Sequence, residues 1–198
     1  NPKAESKARL PKEAHELDVL CCTANAADTN ISATDLASWI PKSGLHADGT
    51  AYDVVVVSVQ RYRELMGPPP AGLEDVDDDG VAHIAAPLKH WLGDEYTLVH
   101  GEHNQQMLLR VYARSGLAPA VTDVQSTGQS ANTPGNGGLV IKLVLCYTSL
   151  CFIACNLSDT AELEDGQSAD ASGEALAARN RDAMAILAGS VDVGRPEV

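Results

Sequence analysis

The sequence predicts an α/β fold of mostly antiparallel sheets, and three observations carry that prediction. Residues 52–60 (YDVVVVSVQ) hold five valines in one bounded run, the pattern of a central strand covered on both faces. Residues 139–146 (LVIKLVLC) and 150–157 (LCFIACNL) flank a short turn at 147–149 and read as an antiparallel hairpin. The order strand, helix, strand, helix, several strands, helix is not the regular alternation of a doubly wound nucleotide fold.

Taken in order, residues 1–16 are charged and broken by Pro2 and Pro11, so they read as an extension ahead of a domain spanning 17–190, with 191–198 as a tail. Residues 18–23 (DVLCCT) suit a buried strand. Residues 33–40 place Leu36, Trp39 and Ile40 at helical spacing, and Pro41 stops that helix. After the valine strand, the Gly- and Pro-rich stretch 67–72 and the acidic stretch 74–79 form a surface connection. A helix is expected at 86–92 (APLKHWL), with Pro87 near its start. Residues 96–100, 107–113 and 120–126 then read as three strands that extend the sheet without intervening helices. Residues 129–138 (QSANTPGNGG) are a Gly-rich loop. The Ala-rich segment 173–188 is expected to be a helix with Leu176, Asn180, Ala183 and Leu187 on its apolar face.

Composition narrows the function classes. A net charge of −13 argues against a general nucleic-acid binder, because phosphate backbones are held by clustered Lys and Arg. The longest apolar runs fall far short of the ~20 residues that cross a bilayer as a helix, so no transmembrane segment is expected. The five cysteines are odd in number and form no CxxC pair, favouring free buried thiols in a reducing compartment; the expected location is cytoplasmic, peripheral to membranes or within a large assembly. His100 and His103, three apart in an extended segment, would face opposite sides, so no metal cluster is read there.

Several segments, in order, carry a family resemblance. Residues 22–25 read CTAN at the end of the first strand, 54–61 read VVVVSVQR, and 107–114 read MLLRVYAR. Ser126-Thr127-Gly128 is followed by Gly135-Asn136-Gly137-Gly138-Leu139, residues 151–159 read CFIACNLSD, and Arg179-Asn180 follows on the last helix. These motifs resemble the inositol-polyphosphate 5-phosphatases of the endonuclease/exonuclease/phosphatase superfamily. The resemblance implies an αββα sandwich of that type, incomplete and corresponding to its N-terminal half.

The resemblance also implies a magnesium-assisted phosphatase site, and it places Asn25, Gln60, Arg61, Asn136, Asn156, Arg179 and Asn180 at family positions. Two substitutions stand out. Arg61 occupies the place of the metal-holding carboxylate, and a guanidinium cannot ligate a cation. At ~4 Å and an effective dielectric near 20, its charge would repel a divalent ion by about 8 kcal/mol. Asn156 stands where the family has a phosphate-contacting His, and an amide cannot carry an imidazolium's charge. The family's later motifs, Gly-Asp-Leu-Asn and Ser-Asp-His, do not occur before Val198. The expectation is a divergent, catalytically impaired domain that needs no cofactor and serves as a structural or interaction module for a protein partner or the rest of the same polypeptide. The alternative is an active phosphatase acting with magnesium on a phosphoinositide or inositol phosphate. As bland readings, Asn25 would be a turn or capping residue, Gln60 and Arg61 a solvated pair, and Asn156 a satisfied strand-end amide.

Overall fold

The computed structural model describes residues 16–26, 33–61, 82–104, 107–130, 137–157 and 171–192. The expected extension at 1–16 therefore lies, apart from Glu16, outside the described residues. Strand β1 (Val19–Asn25) and β2 (Val54–Gln60) run parallel in continuous register from Val19 opposite Val54 to Asn25 opposite Gln60. Parallel neighbours need a crossover, and α1 (Ala33–Trp39) lies within it. Helix α2 (Ala82–Leu92) then leads to β3 (Tyr96–His103) and β4 (Met107–Arg114), and the first sheet has the order β1-β2-β4-β3.

Strands β5 (Val121–Ser130), β6 (Gly137–Leu145) and β7 (Thr148–Asn156) form a separate antiparallel sheet in the order β5-β6-β7. This corrects the expectation that β5 extends the first sheet. The reason is local: Ser115 N–H donates to Glu95 O at 2.7 Å, closing β4 against the start of β3. Leu117 N–H and Ala120 N–H then close two successive tight turns onto Arg114 O and Leu117 O, redirecting the chain. Strands β5 and β6 also advance to Ser130 and Gly137, so the expected loop at 129–138 is narrower at both ends.

The alternation of side chains along β2 explains its five valines. Val55, Val57 and Val59 join Leu36, Ile40, Leu88 and Leu92 of the helical side, while Val54 and Val56 join Leu139, Ile141 and Leu145 of the second sheet. Two cores thus sit on the two faces of one sheet, and the second sheet shares the inner one. The strand expected to be covered on both faces is so covered, and its first six residues are buried.

Helix α2 begins four residues earlier than the sequence suggested and carries Pro87 inside. Proline is favoured in a first turn rather than inside a helix, but Leu88 and Leu92 are fully buried and hold the helix regardless. Helix α3 (Ala171–Asp192) packs against β5 and β6 with Ala175, Asp182 and Ile186 buried. The expected apolar face is the wrong one, since Leu176 and Leu187 are 59% and 49% exposed. Close approach decides the helix's orientation: a Cβ on Gly138 would lie 2.6 Å from Ile186 Cγ2, so only glycine lets the two elements meet this closely.

All five cysteines are free, as expected, but only Cys22 is buried. Cys21, Cys151 and Cys155 are exposed because β1 and β7 are edge strands with one poorly covered face. Among the described residues, no helix is long and apolar enough to cross a membrane.

Candidate functional site

The carboxyl ends of β1 and β2 lie side by side because the strands are parallel, and this places Asn25 opposite Gln60. The Gln60 side chain is held in one orientation. Its Nε2 donates to Ser58 Oγ at 2.8 Å and to Thr23 Oγ1 at 3.0 Å, while the Thr23 hydroxyl reaches Gln60 Oε1 at 3.3 Å. Thr23 and Ser58 face each other in the register, so alternate residues of both strands put these polar groups on one sheet face, the face that carries Val54 and Val56. The backbone continues the arrangement, as Ala26 N–H donates to Gln60 O at 2.8 Å.

Arg61 follows at once with φ of 49°, a left-handed conformation just past the end of β2. Asn156 ends β7 opposite Gly137 on the other sheet. The strand-end candidates therefore lie on different sheets, Asn25 and Gln60 paired on the first and Asn156 on the second. Arg179 and Asn180 are exposed on α3, and Asn136 lies outside the described residues.

The sequence reading missed a second polar cluster. His100 Nε2 lies 2.9 Å from Ser126 Oγ and 3.3 Å from Glu102 Oε1, and the Ser126 hydroxyl also bonds the Glu102 carboxylate. His100 is on β3 and Ser126 on β5, so this cluster ties an edge strand of one sheet to an edge strand of the other. It is not a nucleophile-and-base triad, because the same ring nitrogen meets both partners, whereas a triad uses opposite nitrogens for the hydroxyl and the carboxylate. His100 and His103 do pair with Val111 and Leu108, residues of opposite sheet faces, as their spacing implied. A contact between side chains 26 residues apart leaves no local pattern in the sequence.

Among the described residues, the side chains at the β1–β2 ends include no carboxylate. A magnesium ion takes carboxylate oxygens and water, and here the described groups are the Asn25 amide, the Gln60 amide shared by two hydroxyls, and the Arg61 guanidinium next in the chain. Among the described residues no three His, Cys, Asp or Glu side chains gather into a metal-holding group.

The fold is a mixed α/β type with two sheets and few helices. It is the fold of an inositol polyphosphate 5-phosphatase domain, that of SPsynaptojanin, solved with inositol (1,4)-bisphosphate and a calcium ion. The likeness has a TM-score of 0.65 at 17% identity and covers 90% of this chain and 47% of that one. Cimex nitrophorin, solved as a ferrous NO complex, is also similar, with a TM-score of 0.54 at 18% identity over 75% of this chain and 49% of that one. A point mutant of the same nitrophorin gives a TM-score of 0.54 at 20% identity over 77% of this chain and 49% of that one. The chain spans about half the length of the solved structures it matches. No protein-family model matches the sequence, and no curated protein matches it. Two neighbours with such different ligands show that this fold does not by itself decide function.

Proposed function

We propose that the chain is a divergent domain of the inositol-polyphosphate 5-phosphatase type, organised as part of an αββα sandwich, that has lost efficient phosphate hydrolysis and serves as an interaction module. The fold likeness supports the family. The observation that carries the loss is Arg61, a cation placed directly after Gln60 at the parallel strand ends, where the sequence resemblance calls for a metal-holding carboxylate. Asn156 at the end of β7 adds to it, because removing one charged stabiliser of a transition state costs orders of magnitude in rate. Support for an interaction role comes from apolar side chains left in solvent. Leu176, Met184 and Leu187 on α3 are 59%, 67% and 49% exposed, and Ile153 on β7 is 39% exposed.

The test is phosphate release from inositol polyphosphates and phosphoinositides with magnesium, read by a malachite-green assay. No magnesium-dependent release above the protein-free rate is expected. Magnesium-dependent turnover that disappears on Asn25→Ala would overturn the reading in favour of an active phosphatase.

A further inference from the structure

Helix α3 turns Ala175, Asp182 and Ile186 inward and leaves its opposite face in solvent. That face is a stripe of six uncharged residues. Leu176, Asn180, Met184 and Ala188 recur every four residues, and Ala177 and Leu187 flank them at helical spacing. All six are exposed, and Leu176, Met184 and Leu187 keep 59%, 67% and 49% of their surface in water.

The order of side-chain sizes says what covers the stripe. Leu176 and Ala188 lie six residues to either side of Asp182, Ala177 and Leu187 five, and Asn180 and Met184 two. A twofold axis level with Asp182 sets a second α3 antiparallel to the first and brings each of these residues onto its mate in the other copy. Leu176 then meets the second copy's Ala188, Leu187 the second copy's Ala177, and Asn180 the second copy's Met184. Each leucine faces an alanine, so ridges enter grooves and the helices approach closely. The unbranched Met184 chain adapts around the amide it meets.

Charge favours the same face. Two copies of a chain at net −13 repel one another, yet the described exposed charges of α3 are Glu174, Arg179 and Arg181, one anion against two cations, all outside the stripe. The stripe runs about 18 Å along the helix. Two such faces bury on the order of 1,000 Å² together, the low end for a specific interface, so the pairing is weak and depends on concentration.

We infer that α3 is a self-association face, through which two copies of this chain pair antiparallel about a twofold axis level with Asp182. This names a partner for the interaction module proposed above and rests on that reading for its role alone. Chain mass and phosphate release are separate measurements, so each reading can fail without the other.

The test is sedimentation equilibrium of the full chain between about 10 µM and about 1 mM, with circular dichroism as the check on folding. The mass is expected to rise from one chain toward two. Leu176→Glu and Ala188→Lys are each expected to weaken the pairing about tenfold or more, and a mixture of the two variants to regain it, because residue 176 of one copy meets residue 188 of the other. Asn180→Leu removes the polar member of the seam and is expected to tighten the pairing about tenfold. A chain that stays single up to about 1 mM, or a dimer indifferent to Leu176→Glu and Asn180→Leu, would overturn the inference. Variants that weaken the dimer but fail to complement each other would overturn the antiparallel arrangement. Leu176-dependent sedimentation with phosphatidylcholine vesicles, in place of self-association, would assign the face to a lipid surface and overturn the second copy as its occupant.

Discussion

Gln60 is the residue on which the strand-end geometry turns. One amide serves two hydroxyls, and Ser58, at 8% exposure, has little access to water as a substitute. Gln60→Leu keeps the bulk and removes the polar group, leaving that hydroxyl without its amide donor. The expected loss is about 1–2 kcal/mol of unfolding free energy in urea, with part of it recovered when Ser58→Ala is added. A loss that Ser58→Ala does not relieve would show that Gln60 acts through packing alone. At this scale Asn25, Gln60 and Arg61 were singled out by the family resemblance, and the structure sets the first two opposite each other at the strand ends. Thr23 and Ser58 were not, since a hydroxyl within a strand has no signature until the register of its neighbour is known. Arg110 did leave a signal, a cation in the middle of an apolar run, though the glycine opposite it on β3 emerges only from the pairing.

Among the elements, the β6–β7 hairpin is joined by Cys146 and Tyr147, with φ of 48° and 70°, the two positive values that a type I′ turn requires. Neither residue is suited to that conformation, and Tyr147 is 88% exposed, so its ring contributes little packing. Tyr147→Gly is therefore expected to stabilise the protein by about 0.5–1 kcal/mol, seen as a higher urea midpoint with unchanged slope. An unchanged or lower midpoint would mean that the tyrosine makes a contact worth more than the turn strain. The hairpin was readable from its two apolar runs, as was β2 from its valines. The change of sheet between β4 and β5 was not, because it depends on Ser115 bonding Glu95, a contact between chain segments. The face of α3 was misread for a related reason: Leu176 and Leu187 match Ile186 in size, and only the tight seat of Ile186 on Gly138 sets the rotation.

For the whole molecule, the helix-side core holds two groups whose acidity depends on folding. Burial, aided by the neighbouring Cys21, raises the Cys22 thiol from 9.0 to about 11. Burial chiefly raises the Tyr96 phenol from 10.0 to about 12. Both are acids that bind their proton more tightly when folded, so their contribution is complete below pH 9 and falls as pH rises through 9–11 for the thiol and 10–12 for the phenol. Stability measured in urea is expected to decline across that alkaline range. Cys22→Ala should flatten the lower part of the decline and Tyr96→Phe the upper part. A curve unaltered by both changes would place the alkaline sensitivity elsewhere.

Among the described residues β1 pairs with β2 alone, which leaves it on the flank of the first sheet. A flank of that kind accepts another extended segment with little discrimination of sequence, so crowding this chain at high concentration should drive lateral recruitment of further copies, and a capping peptide should arrest the growth in scattered light.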